Sequence, residues 1–216
     1  QTINLGAYGW LHPHWLNTFY PEDLPEDWRL GYYSNEFNTV LVPASYWQGL
    51  HVDVCQDWLD DVHPEFQFFI ECNGSMFDMV SLAGFTEAVQ VLKPQLSGLV
   101  FLDEQQPETV TGPLASLSDE LGCDMFAADH DPETQRIWRP DSGLVDEASG
   151  ISPGVRFAFI EDDLTDLRAS RARIEPFTMG LNDEVDTIEA TLIVHHPRLQ
   201  ASDLVKFRSV LEIMGH

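Results

Sequence analysis

Short apolar runs of strand length recur along this chain, most of them ending in a polar residue and followed by a helical stretch. They are TINLGAY from Thr2, then 38–42, 66–71, 97–102, 123–128, 155–160 and 188–194. A strand that returns parallel to its predecessor needs a crossover, normally a helix, so this alternation predicts a parallel sheet with helical crossovers. Helical spacing of apolar residues supports the crossovers: Leu30, Tyr33 and Phe37; Val54, Cys55, Trp58 and Leu59; Phe85, Ala88, Val89 and Leu92; Leu204, Phe207, Leu211 and Met214. Only 131–154 lacks periodicity. That is long for a loop in a compact domain, so it holds either a short strand at 136–139 or a cover. With 216 residues, one core and one domain over 1–216 are expected.

Composition narrows the partners. The net charge is −25 and the basic residues are nine Arg and two Lys, Lys93 and Lys206. Nucleic acids and anionic lipids are bound through clustered Lys and Arg, so both are disfavoured as partners. Spread along the chain, the carboxylates read as a solvated, self-repelling surface. Cys55, Cys72 and Cys123 are isolated and odd in number, which argues against disulfides and fits free thiols. No basic segment leads into an apolar run at the start, and no window reaches membrane-span length, so a cytoplasmic location is expected.

Four of the six tryptophans and all five tyrosines lie between Leu5 and Trp47. There Gly6-x-x-Gly9-Trp10, Trp15, Phe19-Tyr20-Pro21, Leu24, Tyr32-Tyr33, Phe37-Asn38-Thr39-Val40 and Ser45-Tyr46 follow one another. This pattern resembles the opening of the domain of unknown function 72 family, the YecE-like proteins, over roughly the first 70 residues. The resemblance implies an α/β fold, a single TIM-like (β/α) barrel, here irregular or incomplete in its second half. The chain is a divergent member. Leu41 and Pro43 stand where the family typically has an acidic residue and an Asn, and Glu71 stands where its third strand usually ends in Lys. The family's polar pocket is thus rewritten, and no activity carries over from those positions.

In a βα-barrel the site lies at the C-terminal ends of the strands. Here Glu71, Asp103, His130, Asp162 and His195 stand at or near those ends. Alternation places Gln67 with Glu71 on one face, and Thr191, Ile193 and His195 inward. With Val155, Phe157 and Phe159 assigned to the helix side, Arg156, Ala158, Ile160 and Asp162 point into the barrel. One reading makes the strand-end set catalytic, with Glu71, Asp103, His130 and His195 holding a divalent metal for a hydrolase or isomerase. The plainer reading is that these are solvated junction residues capping the helices that follow. No cofactor is certain. His12 and His14 form an HxH pair, but Pro13 breaks the strand between them. The aromatic residues give the favoured expectation: a small-molecule ligand held at the barrel mouth by Tyr8, Trp10, Tyr46, Trp47 and Arg156. Trp15 and Tyr20 are expected in the core. Cys72 stands beside Glu71, whose charge blunts it as a nucleophile.

Overall fold

A computed structural model describes residues 2–47, 51–74, 81–103, 108–128, 134–140, 145–146, 150–151, 155–182 and 189–216. Ten strands are present among them: β1 Thr2–Tyr8, β2 Thr39–Val42, β3 Gln67–Glu71, β4 Leu96–Phe101, β5 Asp124–Ala127, β6 Gln135–Trp138, β7 Val145–Asp146, β8 Gly150–Ile151, β9 Phe157–Glu161 and β10 Glu189–His195. Eight of them close into a parallel barrel in the order β1, β2, β3, β4, β5, β6, β9, β10, with β10 back against β1. This is a TIM-like barrel. β7 and β8 form a separate antiparallel ribbon inside 131–154, while the short strand expected at 136–139 is β6 and belongs to the barrel.

Helices α1 Arg29–Ser34, α2 Val52–Asp61, α3 Leu82–Leu92 and α4 Glu108–Leu121 follow the first four strands, α5 Leu167–Asn182 follows β9, and α6 Ala201–Ile213 closes the described chain. Among the described residues no helix stands between β5 and β6 or between β6 and β9. The irregularity is local. α5 covers the outer face of β6, with Phe177 stacked on Trp138 at 5.5 Å, and β8 packs against the same helix.

Alternation along the strands sorts the core into two layers. Outward residues such as Val40, Phe68, Leu99, Ala158 and Leu192 are buried beneath the helices. Inward residues Leu41, Phe69, Val100, Phe126, Ile137, Phe157, Phe159 and Ile193 fill the barrel itself. Here β9 corrects the sequence reading: Phe157 and Phe159 point in, while Ala158 and Ile160 point out. Arg156 is exposed just ahead of β9, at the end of the barrel opposite the mouth. The reason is volume. Gly6 and Gly98 lie on inward positions of β1 and β4 and contribute no side chain, so phenylalanines must fill the interior to native density. A Cβ on Gly98 would lie 2.5 Å from the Phe126 ring.

The seam between β1 and β2 is short and tight. Their ladder pairs only Ala7 with Val40 and Tyr8 with Leu41. A Cβ on Gly6 would sit 2.3 Å from the Thr39 carbonyl oxygen, so the two backbones meet where no side chain fits. Below the ladder the fully buried Tyr33 ties the strands: its hydroxyl accepts from the Ala7 N–H at 2.9 Å and donates to the Thr39 carbonyl at 2.8 Å. Tyr33→Phe would keep the ring and strand both backbone groups, and each orphaned group costs about 1–3 kcal/mol. Thermal and denaturant melts are expected to show a loss of ~2–4 kcal/mol for this substitution, with an unchanged midpoint contradicting the assignment.

Candidate functional site

The plug of phenylalanines seals the barrel below its mouth: Phe157 lies 5.0 Å from Phe69 and 4.9 Å from Phe126. Above it, polar side chains from separate strands converge. Tyr8 ends β1 pointing inward, and its hydroxyl donates to Oε2 of Glu71, at the end of β3, at 2.6 Å. The same oxygen accepts from the Ala44 N–H at 2.7 Å, which locks the carboxylate to the loop after β2. From β10, the His195 ring meets the Tyr8 ring edge-on at 4.6 Å and lies nearly parallel to Phe159 at 6.2 Å. Arg139, just past β6, places its guanidinium 5.3 Å from the Phe159 ring centre and donates to the Leu102 carbonyl at 2.7 Å.

Burial sets the protonation of this group. Desolvation raises the Tyr8 phenol well above its ordinary value, and the hydrogen bond and charge of Glu71 push the same way, so Tyr8 stays a donor. Desolvation lowers the His195 imidazole; Glu161 and Glu71 oppose it in part, and His196 adds to it. A neutral His195 thus stands as a base beside a phenol whose single proton is given to Glu71. Nδ1 of His195 is buried without a hydrogen-bond partner among the described residues.

The other residues singled out by sequence lie elsewhere. Asp162 faces the helix side: it accepts from the Leu164 N–H at 2.8 Å, the Ser170 hydroxyl at 3.1 Å and Arg173 at 3.0 Å, holding the start of α5. Its parity matches outward Ala158 and Ile160, which corrects its inward assignment. Asp103 is exposed, one residue beyond inward Leu102, though its charge reaches Tyr8. His130 lies outside the described residues. Trp47 is wholly buried on the outer side of the barrel, 4.9 Å from Phe85 and 6.4 Å from Trp58, so it does not line the mouth. Trp10 and Tyr46, packed edge-on at 5.0 Å, face a groove outside the barrel. Among the described residues no three His, Cys, Asp or Glu side chains stand close enough to share a metal ion. Arg139 and Phe159 were missed. A four-residue strand offers too little periodicity to aim Arg139, and bulk suggested the wrong face for Phe159.

The first loop is anchored rather than open. Trp15 is fully buried and donates through Nε1 to the Leu199 carbonyl at 2.7 Å, with the His14 ring on the same oxygen at 2.7 Å. His12 lies against Trp15 with ring centres 4.2 Å apart, its Nε2 at 3.2 Å from the Gly9 carbonyl. Cys72 is fully buried, and desolvation raises its thiol, with Glu71 adding to the effect.

Burial, followed by the neighbouring His14, pushes the His12 imidazole down to about 4. An unfolded histidine titrates near 6.5, so below that pH the unfolded chain takes a proton that folded His12 refuses. Stability from this group is therefore complete above about pH 6.5 and is lost as the pH falls toward about 4. His12→Asn is expected to remove ~2 kcal/mol of the difference in unfolding free energy between pH 7 and pH 4.5. Denaturant melts of both proteins at the two pH values check this, and parallel pH profiles would contradict it.

A model of the family described as protein of unknown function DUF72 matches residues 4–123, more than half of the chain and well beyond the aromatic opening. No curated protein matches the sequence. Among solved structures, two crystal structures of a DUF72 family protein from Enterococcus faecalis V583 superpose on this chain. The 3.10 Å structure gives a TM-score of 0.62 at 10% identity, covering 98% of this chain and 96% of that one. The 2.52 Å structure gives 0.58 at 10% identity, covering 97% of each. At such identity the likeness speaks for the barrel alone, while the family match identifies the sequence. The chain belongs to the DUF72 family of proteins of unknown function.

Proposed function

We propose that the barrel mouth binds a small polar molecule above the phenylalanine plug, between Tyr8, Glu71 and His195, with Arg139 at the far side. The observation that carries this reading is the convergence of phenol, carboxylate and neutral imidazole from β1, β3 and β10 over a sealed apolar floor. Barrel sites are built at this end of the strands, and concave sites pair an apolar base with a few placed polar groups. His195 supports it further, since its Nδ1 is buried with no partner among the described residues, and such an atom asks for one from water or a ligand.

The alternative of a metal-assisted hydrolase or isomerase draws less support. Oε2 of Glu71 already accepts two hydrogen bonds, Asp162 is engaged with α5, and the described residues bring no third ligand to Glu71 and His195. His195 would instead act directly on a bound hydroxyl group, its imidazole accepting the proton, while the Tyr8 hydroxyl, whose proton is given to Glu71, presents its oxygen as an acceptor.

A thermal-shift and ligand-observed NMR screen of neutral and zwitterionic metabolites against the wild type, Tyr8→Phe and His195→Gln tests the proposal. A specific ligand at ~100 times its Kd stabilises the folded state by ~2.7 kcal/mol, and both substitutions are expected to weaken such ligands by about tenfold, worth ~1.4 kcal/mol. Hits that bind both variants as tightly as the wild type would place the ligand elsewhere. Divalent ions are expected to leave the midpoint unchanged after dialysis against chelator, and a metal retained stoichiometrically would favour the alternative.

A further inference from the structure

The outer wall of the barrel carries a second concavity, separate from the mouth. It measures about 1000 Å³ and runs between the segment after β1 and helix α2. Trp10, Tyr46 and Trp58 form its wall, Trp10 meeting each of the other rings edge-on at 5.0 Å. The wall is held in place, because the Tyr46 hydroxyl accepts from the Leu11 N–H at 3.0 Å and Trp58 stacks on Phe68. Trp28 lines the same groove and is 64% exposed, a large indole left in water beside a ready-made cavity.

The opposite character comes from α2. Val54, Asp57, Trp58 and Asp61 occupy positions i, i+3, i+4 and i+7, one stripe of the helix, and all four line the groove. A barrel helix ordinarily makes such a stripe apolar where it faces a neighbouring helix. Here two of its positions are carboxylates, and Asp60, Glu26 and Asp27 add three more around the same space. At Gly31 the two helices come close: a Cβ there, on α1, would lie 3.2 Å from the Asp61 carbonyl oxygen of α2. Desolvation raises the Asp61 carboxyl, and Asp57, Asp27 and Asp60 each raise it further by like-charge repulsion. Arg29 is turned aside, over the Tyr20 ring at 5.9 Å and 3.4 Å from Glu26.

We propose that this groove binds a linear organic polycation of the polyamine class. Indole faces attract ammonium groups and accept the methylene segments between them. Asp57 and Asp61 are one helical turn apart, about 6 Å along the axis, a spacing comparable to that of successive ammoniums joined by three or four methylenes. A divalent metal does not suit the same carboxylates, because no three of them converge on one point among the described residues. Their separation along the groove fits an extended cation. The volume lies at the upper end of small-molecule sites, roughly 300–1000 Å³, which suits a flexible chain with several charges.

Isothermal titration of spermine into the full chain at ~0.15 M salt, where exposed charges are screened beyond ~8 Å, tests the proposal. One-to-one binding with a change in tryptophan emission is expected. Asp57→Asn with Asp61→Asn is expected to weaken it about tenfold or more, and Trp28→Ala about threefold. The double Asn variant should melt no lower than the wild type, since it removes like-charge repulsion, so a loss of binding cannot be assigned to unfolding. A control with Glu175→Gln and Glu212→Gln removes the same charge far from the groove and should bind as the wild type does. Absent binding to the wild type, equal weakening in the control, or equal affinity in the Asn variant would each overturn the proposal. So would an arginine-rich peptide that binds at the groove far more tightly than spermine, since it would make the groove a protein-docking surface.

Discussion

Where β1 meets β2 the barrel closes on a seam that leaves room for no side chain, and a buried phenol hydroxyl holds it. Tyr33 satisfies the Ala7 N–H and the Thr39 carbonyl at the point where the short ladder ends. Were this seam to open, β1 would lose one of its two neighbours and the inward aim of Tyr8 one residue later. Tyr8 needs that aim. Only from β1, across the mouth, does its hydroxyl reach Glu71 on β3 while its ring packs on His195 of β10. The closure of the fold and the construction of the candidate site therefore depend on one local arrangement, set by a glycine and a tyrosine.

The same chain separates two kinds of surface that its sequence runs together. Tyr8 and Trp10 are two residues apart, yet the strand ends between them, and Tyr8 enters the mouth while Trp10 turns outward toward α2. Tyr46 follows Trp10 to the outside, and Trp47 is buried beneath α3 against Phe85. The mouth keeps neutral groups at physiological pH, a high-pKa phenol and a low-pKa imidazole, around one anchored carboxylate. The outer groove gathers carboxylates against indoles. These two environments underlie the two ligand classes proposed, one neutral and polar, the other cationic.

Much of the architecture is legible from alternation and spacing, because strands and helices repeat in order and each buries a face at its own period. Residues 131–154 lack that signal: β6 is four residues long, and a two-stranded ribbon takes the place of a described helix. Inside-outside assignments worked where chemistry differed between faces, as in β10 with Ile193 and His195. They failed in β9, where bulk assigned Phe157 and Phe159 to the helix side and the deciding factor was the empty space left by glycines on other strands. That is a tertiary fact, invisible in a single strand. Glu71 and His195 could be found as strand ends, but Asp162 could not be told from them, since helix capping and site building use the same residue types at neighbouring positions. Arg139 had no sequence signal beyond its place at the end of the short strand expected at 136–139.

The central claim is that Tyr8, Glu71 and His195 form one electrostatically coupled unit at the mouth. Nitrogen-detected NMR titration of the His195 ring, in the wild type and in Glu71→Gln, measures that coupling directly. The account predicts an imidazole below its ordinary value because of burial, and lower still in Glu71→Gln, since the Glu71 charge favours the protonated ring. A His195 that titrates as a free histidine does, or whose titration ignores the loss of the Glu71 charge, would contradict it.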